Sequence, residues 1–450
     1  MAWVATLAMA AVLFSSHYTR DVLGTVEEQL AADTALAVSP PRYSALNFFY
    51  FFPSIFVPFV TGALTSSMGI PSHHIFAVCA CVSAAGGAMM WLASIEGSYQ
   101  ILLASRSASG SVYEAIDVLP ISFIPPLMGS RWPRALGIVN LISRSGSIVT
   151  FTLSPLLYGS GGGVLAVFAV AGVVGIAAAP LGFLVAATVS SANQEQAKPG
   201  GVGTESGYGA MDVEKPAEDS DAWDSASKGK VQGAGSGVWH DISAMEPLFW
   251  ATCTVGALLY SAVLPFNLYG AGYLQRAHNL RLDTADAVAM IPEAAVALLS
   301  YPTGVMVEAW QLSLQARLAT IAASLALVAA SYAGLAAAGP ELAMACVVTM
   351  SAAYAVGQCL MWGSFPEVCA AERMGIGTGL AAAGINLAAA VMPVIIGASR
   401  QAGATEAASV PLVLGGAAAA GAAVSVCAAT MASRGSGGLG KTEKTLEEAE

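Results

Sequence analysis

Charged residues are scarce in this chain. Only 10% of its 450 residues are Asp, Glu, Lys or Arg, whereas 56% are apolar, and an ordinary soluble domain is about a quarter charged. This composition excludes a soluble enzyme. A three-residue glycine period and heptads with charged flanks are also missing, which excludes collagen and coiled coils, and a mean hydropathy of +0.66 excludes a disordered chain. A membrane protein remains.

An excess of basic residues is missing as well. The chain has 18 Lys and Arg against 29 Asp and Glu, a net charge of -11, which argues against nucleic acid as a partner. Its seven cysteines form no CxxC pair or zinc-spaced Cys/His cluster, and HExxH is absent. We therefore expect no metal or other cofactor and no enzymatic activity. N-glycosylation sequons are also absent.

Twelve stretches are apolar enough to cross a membrane, given that a spanning helix needs about 20 such residues. They lie at 2–24, 43–66, 72–95, 98–126, 132–159, 161–188, 245–276, 284–309, 315–337, 340–370, 373–400 and 407–432. Most loops are short, so neighbouring spans pack as antiparallel hairpins. The predicted fold class is an all-α membrane protein with twelve transmembrane helices in two six-helix halves.

A polar segment separates the two halves. The predicted organisation is a first half at 1–189, a disordered cytoplasmic linker at 190–243, a second half at 244–432 and a disordered cytoplasmic tail at 433–450, because Gly, Ser, Ala and charged residues cannot bury enough apolar surface to order these segments. The apolar start can also be interpreted as a signal peptide, but no basic residue precedes it.

Lys and Arg are unequally divided between the two sides of the predicted membrane. With a cytoplasmic amino terminus, eleven lie on the inner side and five on the outer, which predicts cytoplasmic termini. The five outer residues are Arg20, Arg42, Arg276, Arg281 and Arg400.

Ionisable residues inside spans are costly and mark candidate functional sites. Glu114 on span four and Arg144 on span five both lie near the middle of a core about 30 Å thick, at 1.5 Å per residue. The pair either fixes helix register as a buried ion pair or separates to hold a zwitterion.

Three more charged residues belong to the same regions. Arg106, about two turns from Glu114, is expected to brace a loop or a helix carbonyl. Asp117, one turn below Glu114, is an alternative proton or amine acceptor. Glu293 follows Pro292 and lies either in the cavity of the second half or near the membrane surface.

The number of spans, the long polar loop after the sixth and the short inner loops resemble the major facilitator superfamily. The segment from Gly62 to Gly69 is similar to its G-x-L-x-D-x-x-G loop, with Ser66 in place of the acid. The matching loop of the second half begins at Gly304 and keeps an acid at Glu308. The implied fold is the major facilitator fold.

Motifs spread over about 300 residues resemble the lysosomal dipeptide transporters of this superfamily. Span four is similar to their R-x-x-x-G-x-x-x-E run, span five to A-R-x-G-S, span seven to A-V-F-P-F, span ten to A-L-W, and span eleven to E-x-x-x-G-x-x-x-G with a following Asn. The matching segments are Arg106 to Glu114, Ser143 to Ser147, Ala262 to Phe266, Leu360 to Trp362, and Glu372 to Asn386.

The resemblance implies roles for individual residues. Glu114 would contact the peptide amino group, Arg144 its carboxylate, and Trp362 would line the pocket. Tyr113 and Asn386 belong to the same motif regions and complete the predicted substrate-binding set; Arg106, Asp117, Glu293, Glu308 and Glu372 are the gating or structural residues.

The implied function is alternating-access transport of dipeptides, and also of single cationic amino acids, by uniport across a lysosomal or other endomembrane. The implied partners are membrane lipid and a glycosylated single-span accessory protein. Two alternatives remain open at this point: a proton-coupled carrier of another small organic anion, and a membrane sensor or scaffold that binds ligand without moving it.

Overall fold

The computed structural model describes residues 1–34, 36–68, 70–128, 132–197, 240, 242–337, 339–369, 373–401 and 406–447. Its regular elements within these ranges are helical. In chain order they are α1 (Ala2–Asp21), α2 (Glu27–Ala32), α3 (Pro40–Phe51), α4 (Val57–Met68), α5 (Ser72–Glu96), α6 (Tyr99–Val118), α7 (Pro120–Met128), α8 (Trp132–Leu157), α9 (Gly163–Ile176), α10 (Ala178–Ala197), α11 (Pro247–His278), α12 (Leu282–Ala289), α13 (Ile291–Ala309), α14 (Leu314–Ala337), α15 (Pro340–Val368), α16 (Met374–Gln401) and α17 (Glu406–Glu447).

Each of the twelve predicted spans falls on one of these helices or on two consecutive ones, and the all-helical membrane fold is confirmed. Eight stretches of the described residues are both long and apolar enough to cross a membrane. One of them, Ile138–Gln194, has 57 residues, far more than the roughly 20 that one crossing needs. It therefore contains more than one crossing.

Proline and glycine divide several spans into two helices. A 3₁₀ turn at Pro53–Ile55 separates α3 from α4, because proline has no N–H for the helical ladder. A break before Pro120 separates α6 from α7. Between α8 and α9, Gly161 and Gly163 have φ of 88° and 57°, a region that side chains with a Cβ rarely adopt. The helix is therefore interrupted between these two predicted spans.

Two predicted boundaries lie elsewhere in the structure. Helix α10 continues to Ala197, eight residues into the predicted linker, and the linker residues 198–239 lie outside the described part. Helix α17 runs to Glu447, past the predicted start of the tail at 433, whereas its apolar span ends at Arg434. At both places, the helix continues beyond the apolar residues of its predicted span.

Within the first half, α1 packs against α8 and α10, and α5 against α6 and α9. Within the second half, α14 packs against α15 and α17, and α11 against α16 and α17. The halves meet through α3 with α16 and through α8 with α12 and α13. These contacts place the site described below on the boundary between the halves.

The halves are also joined at the end of the bundle that carries α2, here called the α2 end. Glu27 accepts hydrogen bonds from Arg400 Nη1 at 2.6 Å and Arg276 Nη2 at 3.2 Å, and Glu28 accepts one from Arg276 Nη1 at 2.5 Å. Tyr43 of α3 donates to the Leu268 carbonyl of α11 at 2.5 Å. This end of the bundle is therefore closed by contacts between the halves.

Candidate functional site

A cavity lies between the two halves, and its empty volume of about 490 Å³ includes space that is open to solvent. Helices α1, α3, α6 and α8 line it from the first half, and α11, α15 and α16 from the second. Its lining residues are Arg20, Phe51, Tyr113, Glu114, Asp117, Arg144, Tyr260, Leu264, Tyr354, Trp362, Ile385 and Asn386. Polar groups thus share the wall with aromatic and aliphatic ones.

Glu293 joins the halves beside this cavity. Its Oε2 accepts from Arg144 Nη1 at 2.7 Å, and its Oε1 accepts from Arg20 Nη2 and Asn267 Nδ2, each at 2.7 Å. Glu293 and Asn267 come from the second half, and the two arginines from the first. Because the Glu293 side chain is only 5% exposed, it faces the interior and not the membrane surface.

Of the two arrangements considered for Glu114 and Arg144, a mutual ion pair and a separated pair, the described contacts match the separated one. Both residues line the cavity, but the carboxylate bound to Arg144 is that of Glu293, 149 positions further along the chain. Spacing along the sequence predicts how deep a residue lies in the membrane. It does not predict which way the residue faces, because an error of a few residues in a helix boundary changes the predicted direction. Depth alone could not select between two carboxylates.

Arg144 keeps part of its guanidinium for a ligand. Its side chain is 22% exposed into the cavity region, and among the described residues Glu293 engages only Nη1. A guanidinium carries five N–H donors in a planar fork that matches a carboxylate. Arg144 can therefore bind a substrate carboxylate while it remains bonded to Glu293.

Glu114 faces the opposite half without a basic partner among its described contacts. Its Oε2 accepts from Asn386 Nδ2 of α16 at 3.2 Å, and the same amide also donates to the Ala382 carbonyl at 3.0 Å. Asn386 is therefore a positioning group that holds Glu114 from the second half. A carboxylate with only an amide partner is suited to bind an amino group.

Arg20 is a site residue that sequence reasoning missed. It was assigned to the outer surface, but it is 1% exposed and lines the cavity. Its guanidinium donates to both carboxylate oxygens of Asp21, at 2.6 and 2.7 Å, and to the hydroxyl of Tyr113 at 2.6 Å. The predicted first span already included positions 20 and 21, and two adjacent charges inside a span were the signal.

His17 is a second missed residue. Its Nε2 lies 3.6 Å from Asp117 Oδ2, and its ring packs edge-on against Tyr113 at 5.6 Å between centroids. Asp117 lines the same cavity as Glu114, one helical turn away. Two carboxylates thus line one wall of the cavity.

The aromatic wall comes from α11 and α15. Trp362 Nε1 donates to the Tyr260 hydroxyl at 2.8 Å, and Gln358 Nε2 donates to the same oxygen at 2.7 Å. Trp362 also packs against Phe365 at 5.4 Å between ring centroids. Trp362 therefore reaches the cavity as the sequence motif predicts, and Tyr260 is its unforeseen partner.

Arg106 lies outside the cavity wall. It is completely buried, donates from Nη1 to the Thr19 carbonyl at 2.8 Å, and stacks its guanidinium over the Tyr50 ring at 3.9 Å. A helix carbonyl was its expected contact. These contacts connect α6 with α1 and α3 and give Arg106 a bracing position.

The remaining predicted residues cannot be assigned contacts. Glu372 lies outside the described residues, and Glu308 lies on α13 with a side chain that is not described. The side chain of Ser66, in the superfamily loop, is likewise outside the described part. In the ranges that the structure describes, no cluster of His, Cys, Asp or Glu is placed to hold a metal ion.

The charges around the cavity do not cancel. Arg20 and Arg144 are balanced by Asp21 and Glu293, which leaves Glu114 and Asp117 with only Asn386 and His17 as described polar partners. If both carboxyl groups are ionised and His17 is neutral, these groups together carry an excess of two negative charges. Such a site attracts a ligand with amino groups and still offers one arginine to a carboxylate.

Solved structures of transporters share this fold. A nucleoside transporter, NupG, is 13% identical, with a TM-score of 0.65 over 94% of this chain and 98% of its own. A bacterial homologue of the human lysosomal transporter Spinster, in an inward-facing and unoccupied conformation, is 15% identical with a TM-score of 0.64 over 96% of both chains. An auto-inhibited POT family peptide transporter is 13% identical with a TM-score of 0.66 over 96% of both.

No curated protein matches the sequence significantly. The model of the Major Facilitator Superfamily matches residues 8–393, most of the chain and both halves of the bundle. The chain therefore belongs to the major facilitator superfamily and is a multi-pass membrane transporter.

Proposed function

We propose that this transporter carries dipeptides by alternating access of the cavity between the two halves. The observation that carries the proposal is the placement of Glu114 and Arg144 on the wall of one cavity. A dipeptide has an amino group and a carboxylate at a fixed separation, whatever its side chains. Glu114 binds the first and Arg144 the second.

The charge excess favours dipeptides with a basic side chain, and also single cationic amino acids. Asp117 lies one turn from Glu114 on the same helix and lines the same cavity. An amino group on Glu114 and a basic side chain near Asp117 would give each carboxylate a cationic partner. A dipeptide without a basic side chain provides a partner for only one of them, so we expect it to bind more weakly.

Replacement of Arg144 tests the carboxylate assignment. Arg144→Ala removes the guanidinium that binds the substrate carboxylate, while Glu293 keeps its hydrogen bonds from Arg20 and Asn267. We expect uptake of labelled Lys-Ala into proteoliposomes to fall to the level of protein-free liposomes, with protein yield and monodispersity unchanged.

Arg317→Ala is the matched control. Arg317 of α14 also pairs with a glutamate, Glu367, and is bonded to the Gly363 carbonyl at 2.8 Å, away from the cavity lining. This variant should transport Lys-Ala as the wild type does. Normal uptake by Arg144→Ala would contradict the carboxylate assignment.

Proton coupling is the second candidate mechanism, and the position of Glu293 favours it. A single carboxylate holds Arg144, Arg20 and Asn267 across the boundary between the halves. Protonation of Glu293 would weaken all three contacts at once, which would couple a proton to the separation of the halves.

A pH gradient across the proteoliposome membrane separates the two mechanisms. A uniporter brings Lys-Ala only to equal concentrations on both sides, with or without the gradient. A proton-coupled carrier accumulates it when the gradient is imposed. A protein that binds Lys-Ala but shows no flux in either condition would be a sensor or scaffold.

The cellular setting that we propose is an endolysosomal membrane, with cytoplasmic termini and a glycosylated single-span accessory protein. The motif resemblance of spans four, five, seven, ten and eleven supports it. A fluorescent fusion should co-localise with lysosomal markers, and a crosslinked purification should retain one glycosylated single-span protein. A plasma-membrane signal without such a partner would count against this setting.

A further inference from the structure

The hydroxyl of Tyr260 has an unusual arrangement of partners. Its oxygen accepts two hydrogen bonds, from Trp362 Nε1 at 2.8 Å and from Gln358 Nε2 at 2.7 Å. Both donors lie on α15, whereas Tyr260 lies on α11. Two side chains from a neighbouring helix therefore fix the direction of the phenol group.

Because the oxygen already accepts two hydrogen bonds, the hydroxyl can form one more bond by donating its own proton. A phenol is both a donor and an acceptor; the described contacts of Tyr260 use its oxygen only as an acceptor, and the Oε1 atom of the neighbouring Gln358 amide has no described partner. Tyr260 lines the cavity. The proton is therefore available to an acceptor atom of the substrate.

The position of Tyr260 limits which atom of a dipeptide that is. Tyr260 lines the same cavity as Arg144 and Glu114, the two groups assigned to the ends of the ligand. The only acceptor of a dipeptide between its amino group and its carboxylate is the carbonyl oxygen of the peptide bond. A single amino acid has no such atom.

We propose that Tyr260 donates a hydrogen bond to the peptide carbonyl of the substrate and so distinguishes dipeptides from single amino acids. This inference rests on the proposed function, because it needs a ligand held between Glu114 and Arg144. Trp362 and Gln358 are positioning residues, since they act by occupying the oxygen of Tyr260.

An alkene isostere of Lys-Ala tests the contact, because it keeps the spacing of the charges but lacks the carbonyl. Dissociation constants of Lys-Ala and of the isostere are measured by calorimetry for the wild-type protein and for Tyr260→Phe. One hydrogen bond of this kind corresponds to about a tenfold change in affinity. Tyr260→Phe should therefore raise the Kd for Lys-Ala about tenfold and leave the Kd for the isostere unchanged.

Two further variants distinguish the loss of a hydrogen bond to the ligand from a general structural effect of substitution. Tyr332→Phe makes the same chemical change at a tyrosine of α14 that donates to the Ala262 carbonyl at 2.6 Å, outside the cavity lining; it should keep the preference for Lys-Ala. Gln358→Glu keeps Tyr260 but places only acceptor oxygens beside its hydroxyl. The hydroxyl should then donate its proton to the introduced carboxylate and not to the ligand. This variant should lose the preference as Tyr260→Phe does.

The outcomes separate this inference from the proposed function. If Tyr260→Phe weakens both ligands equally, or neither, the contact with the carbonyl is refuted while dipeptide binding stands. A preference that survives in Gln358→Glu would show that it does not depend on a free proton of Tyr260, which also refutes the contact. If the wild type binds neither ligand, the proposed function itself fails.

Discussion

One carboxylate, that of Glu293, pairs with two arginines from the opposite half of the molecule, the buried Arg20 and the partly exposed Arg144. Arg20 retains a second acid in Asp21, bonded at 2.6 Å, whereas the described ion pair of Arg144 is with Glu293 alone. The two arginines therefore respond differently to a change at this carboxylate. Arg144 depends on it, and Arg20 does not.

Glu293→Gln should therefore bind carboxylate ligands more tightly but fold less stably. The amide keeps an acceptor oxygen but no charge, so Arg144 becomes an uncompensated cation that attracts the substrate carboxylate. Leaving a buried charge without its partner costs about 3–5 kcal/mol. We expect a lower melting temperature together with a smaller Kd for Lys-Ala, measured by thermal unfolding and calorimetry on the same preparation.

Glu367→Gln is the matched control, since Glu367 pairs with Arg317 and its side chain is 43% exposed. Solvent screens such a pair, which contributes about 1 kcal/mol or less. The melting temperature and the Kd for Lys-Ala should therefore both stay near the wild-type values. An unchanged Kd in Glu293→Gln would mean that Glu293 does not compete with the ligand for Arg144.

Residue types were easier to predict than residue partners. Glu114, Arg144, Trp362, Asn386 and Tyr113 could be selected from the sequence and do line one cavity. Arg20 and Tyr260 could not be selected, because their roles depend on contacts 93 and 102 positions away, with Tyr113 and Trp362. Such contacts are decided by packing of distant helices, which spacing along the chain does not contain.

At the scale of helices, the position of Glu114 depends on a close crossing of α6 and α3. A Cβ placed on Gly110 would lie 2.0 Å from the backbone carbonyl oxygen of Tyr50, and the Ser54 hydroxyl also donates to the Gly110 carbonyl. Backbone atoms cannot move aside as the end of a flexible side chain does. The crossing therefore requires glycine at this position.

Gly110→Ala should push α6 away from α3 and shift Glu114, one turn further along, out of its place in the cavity. Overpacking of this kind costs about 1–3 kcal/mol, and contact with backbone places the expected loss at the upper end. Thermal unfolding should show a lower melting temperature, and the Kd for Lys-Ala should rise.

Gly416→Ala provides the comparison at a glycine of α17 where an added Cβ meets nothing within 4 Å. Because alanine is the better helix former, the melting temperature should stay the same or rise. Equal losses in the two variants would show that the α3–α6 crossing is not the sensitive contact.

Helices were predicted more reliably than their interruptions. The hydropathy pattern placed all twelve spans on helices, because a run of about 20 apolar residues has few other stable forms in lipid. The breaks at Pro53 and Pro120 follow from the chemistry of proline. By contrast, Pro265 remains inside the continuous helix α11. Neighbouring helices decide whether a proline breaks a span, and the sequence does not reveal them.

At the scale of the whole molecule, the α2 end is held closed by Glu27, which is 5% exposed and pairs with Arg276 of α11 and Arg400 of α16. Glu27 belongs to the first half and the two arginines to the second, so the alternating-access cycle that we propose must separate Glu27 from both. Replacement of Glu27 by glutamine should weaken this closure. We expect faster hydrogen exchange in residues 22–34 of Glu27→Gln, measured by mass spectrometry on the reconstituted protein.

Glu96→Gln changes the same type of side chain at an exposed helix end, without a described ion pair. Its exchange in 22–34 should match that of the wild type. Unchanged exchange in Glu27→Gln would mean that other contacts, such as Tyr43 with the Leu268 carbonyl, are sufficient to keep the α2 end closed.

The ion pair between Arg144 and Glu293 also has a consequence for biosynthesis. The ribosome makes Arg144 first and Glu293 only 149 residues later, about 7–30 s at 5–20 residues per second. During that interval the nascent first half carries Arg144 without the carboxylate that pairs with it in the complete protein. Until the second half is made, the first half should therefore be only partly assembled, with Arg144 hydrated or bound by insertion factors. When the first half is synthesised without the second, it should be degraded.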